Sequence, residues 1–229
     1  MRILTTCMAF LVFLATQESE AASFKDAGSF VASMEKNGET LAYESTLDSH
    51  LTEGKNDLVI LMHSTHASRR GYQLAVLAKN QDNAFDLLEM SKFGDASNGF
   101  SAKLKDERSG SVFVSVESPS GFWGTYQFKL VERSLILVGS EIHLSGCQSN
   151  QDRCTTVDTS TNFLTGNVVF HRKTIGGAKS EDRWRKDRVD LPRCELKNFD
   201  FNPYFCVENI ETSKGKLDAL MRGEEKEHP

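Results

Sequence analysis

The chain has 229 residues, with 27 Lys and Arg against 32 Asp and Glu and a formal net charge of −5. That mild acidity argues against a general binder of nucleic acid or anionic membranes, and the length suits one domain of ordinary size with a real core.

Residues 1–22 read as a signal peptide: Arg2, an apolar run Ile3–Ala15, then small residues around Ser19–Ala22. The run is shorter than the roughly 20 residues a transmembrane helix needs, and no later segment is apolar enough to span a bilayer. Export to the periplasm or beyond is the expectation. Four cysteines then remain, Cys147, Cys154, Cys194 and Cys206. Proximity in an oxidising compartment favours the disulfides Cys147–Cys154 and Cys194–Cys206. The spacings fit poorly with a zinc site, whose usual signal is two close C-x-x-C pairs.

Residues 23–38 space Phe24, Ala27, Phe30, Val31 and Met34 at helical intervals and end at Asn37-Gly38, giving either one short helix or a loose arm. A strand is expected over 40–47. Asp57–Met62 (DLVILM) is apolar on both faces, as in a central strand covered on both sides. Strands follow at Tyr72–Ala78, Phe85–Met90, Gly99–Lys105 and Ser111–Glu117, the last with Val112, Val114 and Val116 on one face.

Gly121–Ser145 reads as a long hairpin. Its apolar stripe takes Phe122, Tyr126, Phe128 and Leu130, then Ile136, Val138, Ile142 and Leu144. A three-residue loop at 132–134 keeps that stripe on one face, pairing Val131 with Leu135, Phe128 with Val138 and Tyr126 with Ser140. Trp123 falls on the opposite face. Strands at Thr155–Phe163 and Val168–Lys173 complete an antiparallel meander, forming a sandwich or a partial propeller-like sheet. No helical crossover appears, which excludes a doubly wound α/β fold. The β-rich domain therefore covers 23–210, ahead of a polar tail at 211–229.

From 172 to 193 the chain holds eight basic residues against four acidic ones. This reads as a solvent-exposed arm over 176–193, released by Gly176-Gly177, ahead of a loop stapled by Cys194 and Cys206 around Phe199, Phe201, Tyr204 and Phe205. Trp184, Arg185 and Arg188 in that arm, with Trp123, are the candidate binding residues, because Trp and Arg dominate interface hot spots. A solvated loop whose arginines pair with Glu181, Asp182, Asp187 and Asp190 is the competing reading.

Catalytic signals are sparse. There is no G-x-S-x-G elbow, no phosphate-binding loop and no dinucleotide fingerprint. His63 and His66 point to opposite faces of a strand unless the loop bends, so no metal site is expected there. His143 and His171 read as isolated strand-surface residues. Neither a cofactor nor a metal is expected.

Several stretches together resemble exported bacterial β-rich proteins related to FG-GAP/VCBS-type repeats: SHLTEGKNDLVIL (49–61), YQLAVLAKN, AFDLLEM, QFKLVERSLILVGSEI and TSTNFLTGNVVF, within 45–205. The resemblance implies a sheet-rich envelope protein and no established activity. The repeats' calcium loop, D-x-N-x-D-G-x-x-D-L, corresponds here to Ser49, Leu51, Glu53, Gly54 and Asp57. Ser49 and Leu51 replace two of the oxygen ligands calcium needs, so no calcium site is expected.

The resulting expectation is an exported, non-catalytic protein of the bacterial envelope that binds another protein, of inhibitor or immunity type. The alternatives are an envelope hydrolase with an unfamiliar site and a structural or assembly protein presenting an edge strand.

Overall fold

The computed structural model describes residues 22–36, 41–52, 56–64, 70–96, 99–105, 110–148, 153–176, 180–202 and 205–206. The expected leader up to residue 21, Asn37-Gly38, Glu53, Gly54, His66, Gly177, Tyr204 and the tail at 211–229 lie outside them.

In chain order the elements are β1 (Ser23–Phe24), α1 (Ala27–Lys36), β2 (Leu41–Ser49), β3 (Asp57–Ser64), β4 (Gly71–Lys79), β5 (Phe85–Met90), β6 (Gly94–Asp95) and β7 (Ser101–Lys105). Then come β8 (Ser111–Ser118), β9 (Phe122–Val131), β10 (Ser134–Gln148), β11 (Arg153–Asn162), β12 (Asn167–Ile175) and β13 (Glu181–Arg188), followed by a 3-10 turn at Leu196–Asn198. They form two open antiparallel sheets: β1-β5-β4-β3-β2 with β6 beside β4, and β13-β12-β11-β10-β9-β8-β7. Between β2 and β5, and from β7 to β13, sequence neighbours are sheet neighbours, because short connections favour hairpin pairing. The fold is an all-β sandwich.

The central core lies between the sheets. Val59, Leu61, Leu74 and Val76 of the smaller sheet meet Val112, Val114, Val116, Tyr126, Phe128, Leu135 and Leu137 of the larger one. The other face of β3 and β4, with Ile60, Met62, Ala75 and Leu77, is covered by Phe30 and Val31 of α1. DLVILM is therefore apolar on both faces because one meets a sheet and the other a helix. Burying each such side chain is worth about 1.5–3 kcal/mol.

Helix α1 begins with a reciprocal cap. The Ser29 amide donates to Asp26 Oδ1 at 2.7 Å, and the Asp26 amide donates to Ser29 Oγ at 3.0 Å. That amide bond holds the exposed Asp26 carboxyl below its usual range.

The β9–β10 hairpin corrects the expected register near its turn. Val131 pairs with Ser134, not Leu135, and Phe128 with Leu137, not Val138, so the loop is the two residues Glu132 and Arg133, at φ +50° and +74°. Such a loop brings Leu135 and Leu137 onto the Phe128 face and sends Ile136 and Val138 to the other side. An irregularity between Leu137 and Gly139 then shifts the register by one residue. Beyond it Tyr126 does pair with Ser140, and Ile142 and Leu144 return to the core face. The strand changes face through its bulge, which an alternation rule cannot foresee.

The C-terminal segment plugs the core. Cys194 is disulfide-bonded to Cys206, and Cys147 to Cys154, as expected. Within the first loop Phe199 is buried against Tyr126, Phe128, Phe201 and Phe205, at ring separations of 4.7–5.2 Å. Glu89 of β5 ties the layers together by accepting from the Leu135 amide at 2.6 Å.

Candidate functional site

The arm expected at 176–193 is, over Glu181–Arg188, the edge strand β13, paired with β12 through eight residues. Its side chains are mostly exposed, which made it look like a loop; its backbone nevertheless completes a ladder that β12 would otherwise leave unpaired. Since neighbouring residues on a strand point to opposite faces, Trp184 and Arg185 part company. Arg185 pairs with Phe170, which is buried, whereas Trp184 pairs with His171 on the outer face. Arg188 shares Trp184's face and donates from Nε to the Thr165 carbonyl at 3.2 Å, which anchors the edge strand.

Trp123 lies on that same outer face. Following the register from strand to strand, Trp123 is opposite His143, His143 opposite Asp158, Asp158 opposite His171, and His171 opposite Trp184. Five adjacent strands thus place five side chains in one transverse row. With about 4.8 Å between neighbouring strands, its two tryptophans stand roughly 19 Å apart.

The row is bonded along its length. His143 Nδ1 and Asp158 Oδ1 are 2.5 Å apart, His171 Nδ1 and Asp158 Oδ2 3.4 Å, and His171 Nε2 and Asp182 Oδ1 2.9 Å. Trp123 stacks on His143 with ring centroids 5.5 Å apart, and Trp184 on His171 at 3.9 Å with planes within 8°. Asp158 therefore clamps both imidazoles, and each imidazole supports an indole. The tryptophans remain accessible, Trp123 at 37% and Trp184 at 68%.

Two rungs further along the same face, a polar groove of about 290 Å³ opens at Gly139. It is lined by Lys105, Thr125, Gln127, Glu141, Ser160 and Asn162 around Gly139. The row and the groove make one face with aromatic anchors and hydrogen-bonding groups.

Of the expected binding residues, Trp123, Trp184 and Arg188 share this face and Arg185 does not. His143 and His171, read as isolated, are joined through Asp158. A usable signal was present: if Cys147 and Cys154 face each other across β10 and β11, counting back along both strands sets His143 opposite Asp158.

Asp57, the last of the positions set against the calcium loop, serves the fold instead. Asp57 is fully buried, and its carboxylate accepts from the Thr52 amide (2.7 Å), the Thr52 hydroxyl (2.8 Å) and the Lys79 amide (3.0 Å). Among the described residues no three His, Cys, Asp or Glu side chains converge on a metal position, and no helix is long and apolar enough to cross a membrane.

Fold and face together define an antiparallel β-sandwich with an exposed indole–imidazole–carboxylate row. No family model, curated protein or solved structure matches the chain.

Proposed function

We propose that this chain is an exported, non-catalytic binding domain of the bacterial envelope, and that it holds a partner protein on the outer face of the seven-stranded sheet. The row Trp123–His143–Asp158–His171–Trp184 carries this reading. Trp is enriched at the energetic centres of protein interfaces because it offers a large area with few rotors. Here each indole is already held by a stacked, hydrogen-bonded imidazole, so little side-chain freedom remains to be lost on docking. The two disulfides agree with an oxidising compartment outside the cytoplasm.

The face supports docking better than the sheet edge does. On β13 Arg183, Arg185, Lys186 and Arg188 surround Trp184, and charged edge strands resist pairing with a further strand.

Cross-linking in intact envelopes followed by mass spectrometry identifies the partner, and affinity is then measured on purified variants. Trp184→Ala and Trp123→Ala should each weaken binding by about thirtyfold, the size of an interface hot spot. Arg185→Ala, on the other face, should bind as the native chain does. Equal affinity of native protein and both tryptophan variants would sink the proposal.

A further inference from the structure

His143 and His171 differ in what surrounds their rings, and the difference gives the outer row a second property. Among the described residues His143 meets one carboxylate, with Nδ1 2.5 Å from Asp158 Oδ1, and a neutral imidazole satisfies that contact with its single N–H. His171 meets two, one at each ring nitrogen. Its Nε2 is 2.9 Å from Asp182 Oδ1, and its Nδ1 is 3.4 Å from Asp158 Oδ2. A neutral ring offers one N–H and one lone pair, so one of these carboxylates would face the lone pair. Only the imidazolium, with both nitrogens protonated, is attracted to both.

The same ring is the platform for Trp184, whose indole lies over it at 3.9 Å with planes within 8°. Such a stack strengthens when the imidazole is a cation, because the face of the indole is the negative part of its charge distribution. The surrounding charges agree. On the outer face β11 presents Asp158 between Thr156 and Ser160, and β13 presents Asp182 and Lys186 on either side of Trp184. Strand β12 itself presents Val169 and Lys173, and β10, one strand further, brings His143 between Glu141 and Ser145. The two carboxylates reach the ring nitrogens, whereas Lys173 and Lys186 are set off along the strands by about 7 Å.

We propose that His171 is a proton-operated latch on Trp184, which sets the docking face in mildly acidic medium and loosens it in mildly alkaline medium. The inference rests on the docking reading for its consequence and on the ring geometry for its chemistry. Histidine changes charge between about pH 5 and 8 in ordinary surroundings. On the acid side the ring is held from both nitrogens and holds the indole in turn. As pH rises Nδ1 gives its proton to water, since Nε2 is the nitrogen in the shorter bond. Its lone pair then faces Asp158 Oδ2, the attraction there becomes repulsion, and the indole loses its cation. Trp184, 68% exposed on an edge strand, regains side-chain freedom that docking must remove again.

The test uses the full folded chain. Long-range proton–nitrogen NMR of the imidazoles, followed from about pH 5.5 to about pH 8.5, should show both His171 nitrogens protonated at the acid end and Nδ1 alone losing its proton. In the Trp123→Phe chain Trp184 is the sole tryptophan, so its fluorescence decay separates stacked from free indole. The stacked-to-free ratio should fall about two- to fivefold with the same midpoint as His171, the size of an exposed cation–π contact. Adding His171→Gln, with the melting temperature checked, should remove that pH dependence. A Trp184 signal that is flat with pH, a midpoint that departs from that of His171, or loss of the Nε2 proton first overturns the latch. Should the His171→Gln chain fail to fold, the match or mismatch of the two midpoints still decides. No partner enters these measurements. A working latch beside unchanged partner affinity of Trp184→Ala removes the docking reading alone, and tryptophan hot spots beside a flat pH response remove the latch alone.

Discussion

Asp57 shows how a single acidic residue serves structure here. Its carboxylate closes the β2–β3 connection onto the start of β3 and the end of β4 through Thr52 and Lys79. Asp57→Ala strands two amide donors in a site that is fully buried in the native chain, at a cost of about 3 kcal/mol read from chemical denaturation. EDTA added to native protein should leave the melting temperature unchanged, since these oxygens already accept protein donors. Asp26 gives a pH-dependent case. Its carboxyl is held below its ordinary value mainly by the Ser29 amide, so the cap contributes above about pH 4 and is lost as pH falls towards the lowered folded value. Asp26→Asn should therefore flatten the decline of helix stability on acidification, and an unchanged acid limb in hydrogen exchange of α1 would count against the cap. In the outer row, Asp158 matters through the rings it holds: Asp158→Ala frees the His143 imidazole and leaves His171 only its Asp182 contact, so it should reduce partner affinity while leaving the melting temperature within a degree or so.

At the scale of elements, the β9–β10 hairpin combines a costly turn with a corrective bulge. Glu132 and Arg133 both sit in the left-handed region, which disfavours side-chain-bearing residues by about 1–2 kcal/mol each. Replacing them by Asn-Gly, the pair preferred in such turns, should stabilise the fold by about 1 kcal/mol and raise the denaturation midpoint. The exposed Arg193–Glu132 pair lost in the exchange contributes little. A lowered midpoint would mean that the two-residue loop is misplaced. Strand β13 teaches the complementary lesson. Its composition describes a solvated segment, and its side chains are indeed mostly exposed; what makes it a strand is the unpaired edge of β12.

Across the whole molecule, the two disulfides do unequal work. Cys147–Cys154 joins directly opposed residues near the exposed end of β10 and β11, where the ladder already fixes both strands. Cys194–Cys206 closes a loop whose Phe199 and Phe201 fill the central core. Replacing Cys194 and Cys206 by serine should cost about 2–4 kcal/mol, and replacing the other pair clearly less. Intact-mass measurement with alkylation should show all four thiols blocked until a reductant is added.

The amino-acid sequence by itself determined the local and alternating features. The longer strands up to β12, the helical spacing within 23–38, the cysteine pairing and the opposite faces of Phe122 and Trp123 follow from side-chain periodicity and proximity in the chain. The tertiary structure alone decided what depends on register between distant strands. The Trp123–His143–Asp158–His171–Trp184 row draws on residues 61 positions apart, and shifting any one of its four pairings by a single residue would break it. Periodicity tells which face a side chain takes on its own strand. Hydrogen-bond ladders, turn lengths and one bulge set which neighbour it meets, because those are fixed by pairing between strands rather than by any residue alone.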